Sequence, residues 1–270
     1  EDTSALGKWL AGVLREAGVR GRRAVLTLPR DEVVLKRIDT GGVSLSASDL
    51  HSMVHLQMSR QLAVGAEESV IDYAAPAPGE QGADGGAGSV LAAAVARPRL
   101  ERRLAIARAA GLKPVSVVLR GSGALAMMAG ALTDLDAAAL GVAPTAGGAE
   151  VLVATQGRLV SVRSVSVAGG WTGPEASALA QRIGVEASRT WMSYRATQSS
   201  RPVERVVVLG SDERCHAVRE ACESALELPA SCVDAPASLE GALGSVEPGA
   251  RAAFLPLMGV AARVGRGRGG

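Results

Sequence analysis

Apolar residues recur at helical spacing at the start of the chain: Leu6, Trp9, Leu10, Val13, Leu14 and Ala17 form one stripe. Ser4 stands where an N-cap would accept from free backbone N–H groups, and Gly18 supplies a left-handed stop. The spacing predicts a strand over 24–28, ended by Pro29, and a second over 33–38, with a tight polar turn at Arg30-Asp31. Ser46-Ala47-Ser48-Asp49 opens a helix that runs through Leu50, Met53, Val54 and Met58 to about Leu62. Strands are predicted over 69–73 and 89–95, around a Gly/Pro-rich hairpin loop at 76–88. A helix over 99–110, a strand over 115–119 and a small-residue helix over 121–132 follow. Residues 143–148 read as a linker between two halves. Beyond it come strands over 151–153 and 159–167 and a long helix over 174–199. The continuous apolar run 206–209 is of buried-strand type, and a helix, a short strand near Cys232-Val233 and a final helix over 249–263 close the chain. The tail from Gly265 is expected to be disordered.

Strands alternate with helices throughout, which predicts an α/β or mixed α+β fold, and the two halves predict a bilobal one. Expected boundaries are a first lobe over 1–142, with an inserted subdomain at about 20–113, a second lobe over 143–263 and a flexible tail over 264–270. Aromatics make up 2% of the chain, so its core must be aliphatic and it lacks the rings of a base-stacking surface. With 29 basic and 27 acidic residues, no global field steers nucleic acid to it. Three cysteines, Cys215, Cys222 and Cys232, are too few and too odd for a disulfide framework. The polar, acidic opening Glu1-Asp2-Thr3-Ser4 is not a signal peptide, and no uncharged run is long enough to span a bilayer.

Few residues carry recognisable chemistry. His51 and His55 would share a helix face, but Ser52 stands where a zinc protease keeps its glutamate, and no third ligand is evident. Cys215 and Cys222 are seven apart on one helix and read as buried small hydrophobes. The glycines of 79–88 lack the Gly-Lys-Ser/Thr of a phosphate loop, and Gly121-Ser122-Gly123 is too short for a nucleophile elbow. Gly169, Gly170, Gly210 and Ser211 follow strands and are the candidate backbone contacts for a nucleotide, against a plain turn reading. Neither a catalytic residue nor a metal site is predicted.

Several segments, in order, resemble the PilM family of type IV pilus platform proteins, relatives of actin, the heat-shock chaperone ATPases and FtsA. These are Ala24-Val25-Leu26-Thr27-Leu28-Pro29-Arg30 leading into Val33–Ile38, then Leu62-Ala63-Val64 with Val70-Ile71-Asp72-Tyr73. The stretch Val90–Val95 followed by Ala109-Ala110-Gly111-Leu112-Lys113-Pro114-Val115 is similar to the family's strand, helix and Ala-Gly-Leu-x-Pro turn. In the second half the similar segments are Glu186-Ala187-Ser188-Arg189-Thr190, Tyr194, Val206–Gly210 and Phe254–Ala261. The resemblance implies an actin-like (ribonuclease-H-like) bilobal fold lacking its first phosphate hairpin. It also implies a cytoplasmic scaffold, peripheral to the inner membrane through partners, that docks the cytoplasmic peptide of a PilN-like single-pass protein. Other platform proteins or an assembly ATPase are further implied partners; nucleic acid and direct membrane insertion are not. The implied peptide-binding residues are Val25, Leu26, Val34, Leu35 and Ile38 on the strand pair and Leu50, Met53 and Val54 on the helix.

Two departures bear on activity. No Asp-x-Gly hairpin precedes Ser4, and Val151-Leu152-Val153 continues as Ala154-Thr155-Gln156 where the second phosphate hairpin is expected. Neither Ala154 nor Gln156 can hold a magnesium-bound water or admit a phosphate. The expectation is a degenerate ATPase without cofactor, with ATP and Mg²⁺ admissible only given an upstream phosphate motif. The alternatives are an active actin-like ATPase with such a motif, or the related type II secretion platform component. A sugar-kinase-like enzyme needs a cleft aspartate that is not evident.

Overall fold

A computed structural model gives the structure and describes residues 2–41, 45–62, 65–74, 89–130, 132, 137–166, 171, 175–197, 202–236 and 246–266. The expected loop at 76–88 and the candidates Gly169 and Gly170 lie outside the described residues. The chain divides into two compact units, one of Glu1–Leu28 with Glu32–Val118, the other of Pro29–Asp31 with Leu119–Gly270.

The first unit holds α1 (Thr3–Glu16), β1 (Arg23–Leu28), β2 (Val34–Asp39), α2 (Ala47–Ser59), β3 (Ser69–Ala74), β4 (Ser89–Ala96), α3 (Arg97–Ala109) and β5 (Lys113–Leu119). β1 pairs with β5 in a two-stranded sheet, and β2, β4 and β3 form an antiparallel three-stranded sheet in that order. The expected pairing of β1 with β2 is therefore absent. A short 3₁₀ turn at Arg30–Glu32 sends the two strands into different sheets. α2 starts where the sequence places it, and Ser46 is its cap, accepting from Asp49 N at 3.1 Å. The cap of α1 is Asp2 rather than Ser4: its Oδ1 accepts from Ser4 N at 2.8 Å. An ionised carboxylate beside the positive helix end outcompetes the hydroxyl there. Only part of the α1 stripe is covered. Leu6, Leu10 and Leu14 are half-buried, whereas Trp9 is 67% exposed. Gly7, packed against Ala109, lets α1 approach α3 closely.

The second unit is built on a five-stranded sheet, in the order β10-β9-β6-β7-β8. It comprises α4 (Arg120–Ala129), β6 (Ala138–Thr145), β7 (Gly148–Thr155), β8 (Arg158–Ser166), α5 (Glu175–Thr197), β9 (Val203–Leu209), α6 (Glu213–Leu226), β10 (Ala230–Val233) and α7 (Pro248–Arg266). β6, β7 and β8 form an antiparallel meander; β9 runs parallel to β6, and β10 parallel to β9. Leu140, Val151, Val153, Val206 and Val208 pack on one face of this sheet against Leu179 and Ile183 of α5 and Val218 and Cys222 of α6. Each such aliphatic side chain contributes about 1.5–3 kcal/mol on leaving water. α4 and α7 pack together, and Met128 of α4 lies over Gly141 of β6. A Cβ at Gly123 would sit 1.8 Å from Pro256 O, and one at Gly259 2.0 Å from Gly123 O, so the two glycines set the helix separation.

The expected linker at 143–148 does not exist as such. Its residues end β6 and begin β7, and the turn between them falls at Ala146-Gly147. β6 escapes the sequence pattern because Ala138-Ala139-Leu140-Gly141-Val142 is nearly free of β-branched residues. It is a strand because it is buried on both faces and paired on both sides. Pro144 is tolerated because the β9 ladder ends at Val142. α7 extends to Arg266, so residues 264–266 of the expected tail are helical.

Candidate functional site

The implied peptide-binding residues do not form one wall. Val25 and Leu26 lie on β1, in the two-stranded sheet, away from the β2 ladder. Ile38 and Val54, 1% and 0% exposed, are core: with Met58, Val90, Ala92 and Ala94 they bind α2 to its sheet. Leu50 and Met53 are half-buried at the rim of that core. On β2, side chains alternate, so Val34, Lys36 and Ile38 share the α2 face while Leu35 and Arg37 point the other way. Lys36 Nζ accordingly donates to Gln57 Oε1 on α2 at 3.0 Å, and Arg37 Nε donates to Ser89 Oγ at 2.8 Å on the opposite face. That opposite face carries Leu35 with its partner Ala93, and Leu91, all half-buried. Among the described strands β2 pairs only with β4, so it is an edge strand of its sheet.

Gly210 and Ser211 sit at the end of β9. Gly210 has φ +111°, and a Cβ there would meet Cys215 Sγ and Ala252 Cβ. Ser211 Oγ donates to Asp234 Oδ2, and both line a cleft of about 120 Å³ with Asp212, Arg251 and Ala252. Pockets that hold drug-sized ligands are typically about 300–1,000 Å³. Asp212 caps α6, accepting from Cys215 N at 2.9 Å and from Arg214 Nη2 at 2.8 Å. Burial pushes its carboxyl up, but the hydrogen bonds from Cys215 and the Arg214 charge outweigh it and hold the group below its ordinary range. Burial pushes the Cys222 thiol up to about 12, and Cys215 is raised by the same cause together with Asp212, so both are inert apolar fillers as expected.

The sequence reading missed a third constellation. Glu150, on β7 and 1% exposed, accepts on Oε1 from Arg30 N at 2.7 Å and from Arg120 Nη2 at 2.9 Å. Arg30 Nε donates to Val162 O at 2.6 Å. Burial lowers the Arg30 pKa, and Glu150 opposes that shift. Beside it, Arg30, Asp31, Arg163, Ser164 and Glu186 line an open cleft of about 380 Å³, across which Arg163 Nη1 meets Glu186 Oε1 at 3.1 Å. The available signal was a lone carboxylate in the apolar run Ala149-Glu150-Val151-Leu152. A charge at such a position needs a partner. His51 and His55 stack on each other, with ring centroids 4.3 Å apart, and no group of three or more metal-ligating side chains occurs among the described residues.

Ala154 lies near the end of β7 and Gln156 in the turn to β8, and the turn that joins β6 to β7, Ala146-Gly147, carries no carboxylate either. The family model described as "Type IV pilus assembly protein PilM" matches residues 1–143. The chain belongs to the PilM family. Among solved structures, a PilM–PilN type IV pilus biogenesis complex matches with TM-score 0.75 at 17% identity, covering 96% of this chain and 84% of that one. The cytoplasmic domain of EpsL, an inner-membrane component of the type II secretion system of Vibrio cholerae, matches with TM-score 0.52 at 14% identity, over 95% and 80%. At such identities these likenesses establish the fold, which is actin-like. No curated protein sequence matches the chain. No helix among the described residues is long and apolar enough to cross a membrane.

Proposed function

We propose that this PilM-family protein is a scaffold on the cytoplasmic side of the pilus assembly platform, docking an extended peptide of a PilN-like single-pass membrane protein. The observation that carries this reading is the position of β2, Val34–Asp39, at the edge of its described sheet, beside the half-buried Leu35, Leu91 and Ala93. An incoming strand gains main-chain hydrogen bonds at such an edge, and alternate side chains find apolar contacts. The structural likeness to a PilM–PilN complex supports this choice of partner. Within the proposed surface Leu35 is the contact residue, whereas Val34 lies on the α2 face, Leu50 and Met53 rim the core under α2, and Ile38 and Val54 hold the sheet in shape. β1, with Val25 and Leu26, belongs to the support of the unit rather than to the peptide surface.

Nucleotide turnover is not part of this reading. Phosphoryl transfer depends on positioned charge, and Ala154 and Gln156 offer no carboxylate to hold Mg²⁺. The protein is accordingly proposed to be a pseudo-ATPase. The experiment is calorimetric titration of a synthetic PilN-like N-terminal cytoplasmic peptide into the protein. Saturable binding that weakens at least about tenfold in Leu35→Asp is expected, since a charge placed on an apolar contact loses over about 1.4 kcal/mol. Absence of binding at high micromolar peptide would overturn the docking role, and magnesium-dependent ATP hydrolysis would overturn the pseudo-ATPase assignment.

A further inference from the structure

The turns that follow α1 and α3 carry positive charge. Arg15 lies in the last turn of α1, and Arg108 in the last turn of α3. Gly18 and Gly111, with φ +69° and +77°, turn the chain beyond each helix. The two turns lead into β1 and β5, and Lys113 N donates to Arg22 O at 2.6 Å, which sets the strand starts side by side. Arg20, Arg22, Arg23 and Lys113 are exposed about those strand starts, Arg15 and Arg108 are exposed on the helices that precede them, and Glu16 is the only acidic residue of the segments 15–23 and 108–113. None of the six forms an ion pair with a described residue.

A structural explanation covers only part of this. Cations in the last turn of a helix offset its negative end, which accounts for Arg15 and Arg108. Arg20, Arg22, Arg23 and Lys113 lie past the caps and gain nothing comparable. Crowding them at one end of the unit costs self-repulsion that the fold does not offset. Val19, 51% exposed, stands immediately before Arg20, and Val115, 43% exposed, follows Lys113 on the same side of β5.

We propose that this surface is a docking face for an anionic phospholipid bilayer. Phosphate headgroups match the guanidinium fork, and each Lys or Arg near such a surface adds about 1 kcal/mol of attraction. Val19 and Val115 suit the boundary between headgroups and acyl chains. A single strand of RNA fits less well, because none of the residues 15–23 or 108–115 is aromatic and nothing there can stack a base. The contact is peripheral and holds whether or not a peptide docks on β2, so the two proposals succeed or fail separately.

The test is sedimentation of the protein with vesicles of phosphatidylcholine alone and of phosphatidylcholine doped with phosphatidylglycerol. Binding to the doped vesicles alone is expected, and it should vanish in 1 M salt, where the screening length is about 3 Å. The triple variant Arg20→Gln/Arg22→Gln/Arg23→Gln, in an exposed turn, should bind about a hundredfold more weakly, and Arg182→Gln on the exposed side of α5 should bind as the parent does. Equal binding to both vesicle types, no binding to either, or an unchanged triple variant would overturn the proposal. So would tighter binding of an oligouridylate than of the doped vesicles. Should the triple variant lose its circular dichroism, the salt dependence and lipid preference of the parent protein decide alone.

Discussion

Arg120, with Arg30, neutralises a carboxylate that sits 1% exposed on a central strand. Removing one partner of such a pair leaves a buried charge, which costs about 3–5 kcal/mol. Arg120→Met should therefore lower the unfolding free energy by about 3 kcal/mol, and Arg120→Met with Glu150→Leu should recover most of the loss. Urea unfolding of the single and double variants checks both. Asp212 acts at the surface of the same unit. Its folded pKa lies below the ordinary value of 3.8, so its contribution is complete above that value and is lost as the pH falls through the folded pKa. Asp212→Ala should cost about 1 kcal/mol at pH 7, the worth of a helix cap, and the gap to the parent should close toward pH 2 in thermal melts. Neither role was open to a reading of single residues. Glu150 announced itself only as a misplaced charge, and Asp212 only as a residue two places past Gly210.

Elements were legible where they carry a strong period or a strong stop. α2 begins within its predicted start at 46–49, α5 and α7 lie within a few residues of their expected ranges, and β9 is the apolar run seen in the sequence. β6 was hidden because its alanines and glycine give no strand signal; its identity comes from the neighbours it pairs with and from Met128 packed on Gly141. The same small-residue logic makes a test at the α4–α7 contact. Gly123→Val would thrust a side chain into the Pro256 carbonyl and should destabilise the second unit by about 3 kcal/mol or more, the scale of severe overpacking. Gly12→Ala, on α1 where a Cβ meets nothing within 4 Å, should be stabilising by about 0.5–1 kcal/mol. Circular dichroism melts of the two variants separate a packing glycine from a tolerated one.

At the scale of the molecule, family membership rests on residues 1–143, and the second unit supplies the ribonuclease-H-like order of a meander followed by two parallel strands. That architecture was readable from the ordered run of short motifs. The peptide surface was less so, because strand pairing decides which side chains are core. Ile38 and Val54 matched the family pattern as well as Leu35 did, yet only Leu35 faces away from α2. The fold places an edge strand beside a half-buried apolar face, and protein docking at that edge is the central claim. Amide hydrogen exchange with and without a PilN-like cytoplasmic peptide tests it most directly. Slowed exchange confined to β2 (Val34–Asp39) and its flanking turns is expected on peptide addition. Unchanged exchange along β2 at saturating peptide, or protection confined to the second unit, would contradict it.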